Sequence, residues 1–107
     1  MSSELRRHER HPIERSLVVK NSLTNKSLGM LVNLSRDGLM LLGATQLNEG
    51  GVYQVQMEFP DQALLHLGLE CLWLNDSTES DKSWAGFKII DISPEGRSQL
   101  ESYISQI

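Results

Sequence analysis

Apolar residues in this chain recur in short runs that are separated by polar residues, glycine and proline. From about residue 15 onward we distinguish six such runs, each of a length typical of a β-strand: 15–23, 27–34, 39–42, 53–59, 65–73 and 84–90. Turn-forming residues lie between consecutive runs. The pattern predicts an all-β domain in which six antiparallel strands form a small β-barrel.

Two of these runs alternate between apolar and polar positions. In 53–59 every second residue is apolar, and in 65–73 the same holds for Leu65, Leu67, Leu69, Cys71 and Trp73. Because successive side chains of a strand point to opposite faces, each strand should bury one face and expose the other. The alternation places Trp73 on the same face as the other apolar residues, which makes packing in the core one alternative for its side chain.

After residue 92 the apolar period becomes that of a helix. Ser93 is a good helix cap, and Pro94 suits the first helical position. Apolar residues then recur at helical spacing: Leu100, Tyr103, Ile104 and Ile107. We expect one domain over residues 1–107, composed of a flexible arm (1–12), the barrel (13–92) and a C-terminal α-helix (93–107) that packs on it.

Charge is distributed unevenly along the chain. The net charge is −4, but the first 20 residues carry +2 and the remainder carries −6. An acidic body is a poor surface for DNA or RNA, whereas a local basic arm attracts a small anion. We therefore expect a compact phosphate ligand as the partner and no nucleic acid.

Several classes of function find no support in the sequence. Cys71 is the single cysteine and has apolar neighbours, which predicts a packed thiol with no catalytic or metal-binding role. His8 and His11 lack the further ligands of a metal site. No Ser, His and acid set and no Gly-rich phosphate loop is present. We therefore expect that the protein is not an enzyme. The polar start and the absence of a long apolar run predict a cytoplasmic protein without membrane insertion.

The first of two candidate motifs is the arginine-rich arm. Arg6 and Arg10 lie four residues apart, with Arg7 beside the first, so two guanidinium groups face one side whether the arm is helical or extended. Guanidinium is planar and permanently charged, and it donates to phosphate and to the O6 and N7 edge of guanine. A solvated basic end of the chain is the alternative interpretation.

The second motif joins two predicted strands, from Asn33 to Gly38. Asn33 and Ser35 point to the same side of an extended strand, Arg36 adds a further polar side chain, and Gly38 has the freedom to adopt a positive φ. Polar residues and glycine are also what an ordinary turn contains. By itself this motif does not separate a binding site from a simple turn.

Together the two motifs resemble the signature of the PilZ domain family, which is Arg-x-x-x-Arg, then a β-hairpin, then Asn/Asp-x-Ser-x-x-Gly. The matching positions are Arg6, Arg10, Asn33, Ser35 and Gly38. The resemblance continues through residues 72–74 and 86–93 to the terminal helix, and so covers essentially the whole chain. PilZ domains are known as six-stranded antiparallel barrels that bind the bacterial second messenger cyclic di-GMP and pass its presence to partner proteins.

The resemblance also implies roles for individual residues. Arg6 and Arg10 would contact the phosphates and guanine edges of cyclic di-GMP, with Arg7 in a supporting contact. The second motif would supply the remaining contacts with the ligand. The resemblance implies no cofactor.

In the second motif, Asn33 and Ser35 would meet a guanine or a phosphate on the barrel surface. Arg36 would add a donor, and Gly38 would shape the turn. The resemblance leaves open whether Trp73 contacts the ligand or packs in the core.

The implied mechanism is that the arm folds over the barrel when cyclic di-GMP bridges it to the second motif. The altered surface would then signal to an unidentified downstream protein. The main alternative is an adaptor of the same fold that binds a protein of pilus assembly or motility and no nucleotide. A third hypothesis, binding of RNA or DNA through the arm, requires an affinity that falls steeply with salt.

Overall fold

The computed structural model describes residues 11–12, 17–43, 47–59, 64–76 and 83–106. These ranges contain seven strands and one helix. Their bounds are β1 His11–Pro12, β2 Val18–Asn21, β3 Ser27–Leu34, β4 Gly38–Leu42, β5 Val52–Glu58, β6 Leu64–Asp76, β7 Ser83–Asp91 and α1 Pro94–Gln106.

Six of the strands form a closed antiparallel barrel. Neighbouring strands follow the order β3, β2, β5, β6, β7 and β4, and the pairing of β4 with β3 closes the circle. The prediction of a six-stranded antiparallel barrel with a C-terminal helix is therefore confirmed. The short strand β1 lies beside β2 along the same edge of β3, where His11 is opposite Leu34 and Pro12 is opposite Asn33. The last two residues of the predicted arm are thus paired with the barrel.

Alternating apolar residues fill the barrel as the sequence predicts. On β5, Val55 and Met57 are buried, Gln56 between them is half-buried, and the flanking Gln54 and Glu58 are exposed. The partner strand β6 buries a matching row in its first half: Leu65, Leu67, Leu69 and Cys71. Burial of one such side chain contributes about 1.5–3 kcal/mol, so these two strands supply a large part of the hydrophobic stabilisation.

Trp73 departs from the buried row in which strict alternation would place it. The register between β6 and β7 shifts between Cys71 and Trp73, which marks a β-bulge. In a bulge two residues oppose one on the partner strand, so the alternation of faces is interrupted. Leu72 and Trp73 are consequently both exposed, at 52% and 39% of their surface.

Helix α1 packs its apolar side against the barrel. Leu100 and Tyr103 are buried, and the Tyr103 ring stacks on the Phe59 ring with 4.0 Å between centroids and 5° between planes. Phe59 follows the end of β5, so the helix covers the barrel end where β5 stops. Stacked aromatic pairs contribute about 0.5–1.5 kcal/mol beyond the area that they bury.

The start of α1 depends on a close approach to the barrel. Ser93 caps the helix as predicted, since its Oγ accepts a hydrogen bond from the Gly96 backbone N–H at 2.9 Å. A Cβ atom at Gly96 would lie 3.0 Å from Ile92 Cγ1 and 3.1 Å from Leu65 Cδ1. Glycine therefore allows the first turn to sit directly on the core, which offsets its low helix propensity.

Candidate ligand-binding site

The turn between β3 and β4 is held together by Ser35. Its backbone N–H donates to the Gly38 carbonyl at 2.9 Å, and its hydroxyl lies 3.2 Å from the same carbonyl and 3.1 Å from Asp37 Oδ1. The Ser35 residue is only 1% exposed. The Asp37 carbonyl in turn accepts from the Ile89 N–H of β7 at 2.9 Å, so the turn is anchored to the next strand as well. The geometry thus favours a role for Ser35 in shaping the turn.

Gly38 does not use the backbone freedom that the sequence suggested. Positive φ angles among the described glycines occur at Gly29, Gly43 and Gly50, and not at Gly38. Gly38 is instead the first residue of β4, where it lies opposite Lys88 and is buried. The turn therefore does not require the positive φ that Gly38 could adopt, because the Ser35 hydrogen bonds close it without a left-handed residue.

Four residues form a continuous row on the outer surface of the barrel, which we name the site row: Asn33, Met40, Gly86 and Trp73. They come from β3, β4, β7 and β6, and each lies directly opposite the next in the strand pairing. Three strand spacings give the row a width of about 14 Å. Asn33 and Trp73, which are 40 positions apart in sequence, thereby lie at the two ends of one surface.

Both ends of the site row are positioned by irregularities in the sheet. The pairing of β3 with β4 shifts between Leu31 and Asn33, just as that of β6 with β7 shifts between Cys71 and Trp73. Bulges bend a strand and redirect the side chains that follow, and they are frequent beside functional sites. The two predicted ligand-contacting residues at the ends of the row are therefore placed by the same device.

Trp73 lies over Gly86 on the adjacent strand. A Cβ atom built on Gly86 would be 2.1 Å from Trp73 Nε1 and 2.3 Å from Cε2, which is far inside van der Waals contact. Any side chain at position 86 would therefore displace the indole. The absence of a side chain at Gly86 lets the indole rest on the sheet, with 39% of the Trp73 surface exposed.

At the opposite end, the Asn33 side chain is half-buried and contacts the middle of the row. Its Nδ2 donates to Met40 Sδ at 3.4 Å. Thioether sulfur is a weak acceptor, so this contact orients the amide without a large energy. The row thus offers an amide, an apolar thioether and an aromatic face on adjacent strands of one surface.

The last two residues of the predicted arm, His11 and Pro12, pair with β3 next to this row. Arg6, Arg7 and Arg10 lie outside the described residues. Arg10 directly precedes His11 in the sequence. Because Pro12 is opposite Asn33, β1 lies at the Asn33 end of the site row.

Arg36 has contacts with helix α1 rather than with the site row. Its Nη2 forms an ion pair with Glu101 Oε2 at 2.7 Å, and both side chains are partly exposed. The Arg36 carbonyl also accepts a hydrogen bond from Arg97 Nη1. The turn after β3 is therefore connected to the helix through both the side chain and the backbone of one residue.

Cys71 is a packed thiol beneath this surface. It is 1% exposed, and its Sγ lies 3.5 Å from the Trp73 carbonyl. Burial raises the pKa of the Cys71 thiol, the contact with the Trp73 backbone opposes this, and the charge of Glu49 adds to the increase. A protonated, buried thiol is a poor nucleophile.

Two further features bear on other classes of function. Within the described ranges, no three His, Cys, Asp or Glu side chains are grouped so that they could hold a metal ion. His8 and the His11 side chain fall outside that description. The helical residues of the same ranges form no segment with the length and apolarity that a membrane crossing requires.

The structure thus brings together some of the predicted site residues and separates others. Asn33 and Trp73 share the site row, and Ser35 and Gly38 form the adjoining turn, whereas Arg36 contacts α1. Sequence reasoning did not single out Met40 and Gly86 as site residues, or the Arg36 contacts Arg97 and Glu101. The only available signal was a glycine inside an apolar strand run, which often marks close approach of another group.

Comparison with protein families identifies the class to which this fold and site belong. The family model described as PilZ domain matches residues 4–106. The chain therefore belongs to the PilZ domain family, as its two motifs indicated. A comparison with curated protein sequences gives no significant match.

Solved structures of the same fold include three that are informative. YcgR from Escherichia coli, in complex with c-di-GMP, has a TM-score of 0.76 and 21% identity over 94% of this chain and 45% of that chain. The isolated PilZ domain of the same protein, with c-di-GMP, has a TM-score of 0.72 and 20% identity, covering 94% of this chain and 89% of that one. The Bacillus subtilis inhibitor of motility (MotI/DgrA) has a TM-score of 0.73 and 16% identity, covering 92% and 48%.

At these identities the likeness establishes the fold. The chain spans about half the length of the full YcgR and MotI chains, and most of the isolated YcgR domain.

Proposed function

We propose that this chain is a receptor for cyclic di-GMP that binds the ligand between its arginine-rich arm and the site row. The observation that carries the proposal is that β1, which directly follows the arginine motif in the sequence, pairs with β3 at Asn33, at one end of a row that ends in Trp73. Membership of the PilZ family and the c-di-GMP complexes of the YcgR structures support it.

Charge and hydrogen-bonding chemistry suit this ligand. Cyclic di-GMP has two phosphate charges and two guanine bases, and guanidinium groups recognise both. In the proposal, Arg6 and Arg10 donate to the phosphates and guanine edges, with Arg7 in support. The arm carries the positive charge of a chain whose net charge is otherwise negative, so the anionic ligand is attracted specifically to this part of the surface.

The barrel contributes complementary surfaces to the same ligand. The Trp73 indole provides an aromatic face on which a guanine can stack, an interaction that contributes about 1–3 kcal/mol. The Asn33 amide has donors and an acceptor for a guanine edge or a phosphate. In our proposal Ser35 and Gly38 shape the turn beside the row, and Arg36 supplies a further donor after it leaves α1.

Ligand binding produces the signal through the arm. In the proposal, cyclic di-GMP fixes residues 1–12 against the site row and so creates a surface that a downstream protein recognises. The ligand is released unchanged, and the proposal involves no catalysis, no cofactor, no nucleic acid and no insertion into a membrane. The shift between the two arm states is limited to the difference in ligand affinity between them.

Calorimetric titration with cyclic di-GMP tests the proposal, with GMP and GTP as control ligands. Arg10→Ala should lower affinity by about 10- to 100-fold, since it removes a charge-assisted hydrogen bond. The matched control is Lys26→Ala, which removes an exposed positive charge at the opposite end of β3. Equal affinities of these two variants, or no binding by the wild-type protein, would contradict the proposal.

A second candidate function is a protein adaptor that binds no nucleotide. A line of outward apolar residues beside the site row favours it: Val18, Met30, Leu42 and Trp84, each opposite the next on four adjacent strands. Val18 and Met30 are about two-fifths exposed, at 42% and 40%. If wild-type protein binds no cyclic di-GMP, this surface becomes the leading candidate site, and Met30→Glu should abolish recruitment of a protein partner.

A further inference from the structure

The connection between the β3–β4 turn and helix α1 has two separable parts. The backbone part is the hydrogen bond from Arg97 Nη1 to the Arg36 carbonyl, and the side-chain part is the ion pair of Arg36 Nη2 with Glu101 Oε2 at 2.7 Å. Because the two parts use different groups of Arg36, its guanidinium has the freedom to leave Glu101 while the turn stays attached to the helix.

The ion pair is in a position to be exchanged. The side chains of Arg36 and Glu101 are 51% and 43% exposed, and with Ile104 and Ser105 they line a surface depression of about 400 Å³. Exposed pairs of this kind contribute little net energy, because water solvates both partners when they separate. An anion that approaches Arg36 therefore meets a small barrier but also the like charge of Glu101.

Carboxylate and phosphate compete for the same donors. Both bind guanidinium through paired N–H groups, so Arg36 cannot give its full set of donors to a phosphate while it holds Glu101. Arg36 is the residue after Ser35, and it lies at the barrel end where His11 of β1 pairs with Leu34. Glu101 of helix α1 thus occupies hydrogen-bond donors of Arg36, a residue beside the proposed ligand site.

We infer that Glu101 is a positioning residue that sets the ligand affinity of this site by holding Arg36 on helix α1 in the free protein. The inference rests on the proposed function, because it assigns regulation to the same site. Phosphate binding moves the Arg36 guanidinium away from Glu101. By the reciprocity of linked equilibria, the ligand then weakens the contact between the turn and α1 to the same extent that Glu101 weakens ligand binding.

Calorimetry with cyclic di-GMP on five proteins tests the inference. They are the wild type, Glu101→Gln, Glu95→Gln, Arg36→Ala and the double variant Arg36→Ala/Glu101→Gln. Glu95 is an exposed carboxylate in the first turn of the same helix, so its substitution is a matched control for the change in net charge. Glu101→Gln should bind about two- to fivefold more tightly than the wild type, with a much smaller gain for Glu95→Gln.

The double variant separates positioning from a general charge effect. If Glu101 acts through Arg36, the gain from Glu101→Gln should disappear once Arg36 is alanine, and it should shrink in high salt. The inference is overturned if Glu101→Gln binds no more tightly than Glu95→Gln, or if its gain persists without Arg36. Failure of wild-type protein to bind cyclic di-GMP overturns the proposed function itself, which distinguishes the two failures.

Discussion

Two sides of the same barrel differ in how regularly their strands are paired. One side carries the site row, Asn33, Met40, Gly86 and Trp73, and its pairing is interrupted by a bulge before each end residue. The other side, which we name the polar wall, carries Gln54, Gln56, Glu58 and His66. There β5 and β6 pair over seven consecutive residues without a shift of register.

Ideal alternation of side chains holds on the polar wall and fails next to both ends of the site row. The polar wall exposes solvated side chains and leaves a continuous buried row behind them, as expected for a strand with one wet face. On the other side, the two bulges redirect an amide and an indole toward one surface. Two of the four register shifts between the described strands thus lie at the ends of the site row, and the other two lie between Val19 and Lys20 and between Gly68 and Leu69.

Deletion of a single residue should separate the two sides most strongly. Removing Gln56 from the regular ladder turns either Gln54 or Glu58 toward the core and an apolar neighbour toward solvent, because a one-residue slip exchanges the two faces. We expect the free energy of unfolding to fall by several kcal/mol, which is a large part of its total value. Removing Leu72, the extra residue of the bulge, leaves the flanking pairs in register and should preserve the fold.

Urea denaturation, followed by circular dichroism, measures the free energy of unfolding of both deletion variants. A folded Gln56 deletion with near wild-type stability would show that the register of the polar wall is not strongly specified. Unfolding of the Leu72 deletion would show that the bulge itself is required for stability.

The next largest effect should come from filling the space beneath Trp73. In Gly86→Val the new side chain displaces the indole, since even a Cβ at this position overlaps Trp73 Nε1. We expect affinity for cyclic di-GMP to fall by about 10- to 100-fold through loss of the stacking surface. Stability should change by only about 1 kcal/mol because the indole is partly exposed.

The matched control for this variant is Gln54→Val, which introduces the same side chain on the polar wall. Titration calorimetry should show affinity within about twofold of wild type for the control. Wild-type affinity in Gly86→Val would place the ligand away from Trp73.

A moderate effect is expected from Ser35→Ala. The substitution removes the hydroxyl contacts with Asp37 and Gly38, and the free energy of unfolding should fall by about 1 kcal/mol. Affinity should fall no more than about fivefold if Ser35 acts through the shape of the turn. Chemical denaturation and titration are compared with Ser98→Ala, an exposed serine of α1. A larger loss of affinity at unchanged stability would instead indicate direct contact between the hydroxyl and the ligand.

The smallest expected effect concerns pH and the thiol beneath the bulge. Burial raises the pKa of Cys71 above its ordinary value of 9.0. A group whose folded-state pKa is raised contributes stability that is fully present below its unfolded pKa and is lost as pH rises toward and through the folded value. The free energy of unfolding should therefore decline above about pH 9.

Cys71→Ala serves as the reference for this titration, because it lacks the ionisable group at the same buried position. The free energies of unfolding of the two proteins, measured from about pH 7 to about pH 10, a range that spans the ordinary thiol pKa, should converge as the pH rises. If the free energies of unfolding of the two proteins change in parallel with pH, the raised pKa of Cys71 is contradicted.

Much of the regular structure follows from the sequence alone. The alternation of Tyr53, Val55, Met57 and Phe59 with polar residues defines a strand and its buried face, because side-chain direction in a regular strand has a period of two. The change to helical spacing after Ser93 likewise defines α1. The family motifs further indicated the PilZ class, because short motifs of this kind can be recognised in the sequence without any knowledge of contacts.

Contacts between distant residues required the tertiary structure. The exposed position of Trp73 depends on one extra residue in its strand, which a period of two cannot reveal. Its seat on Gly86 and the pair of Arg36 with Glu101 join positions that are far apart in the chain. The sequence by itself determined the strands, the helix and the motif residues because these depend on local periodicity and turn chemistry. Barrel closure and register decided which of those residues share a surface, because both depend on the simultaneous pairing of all strands.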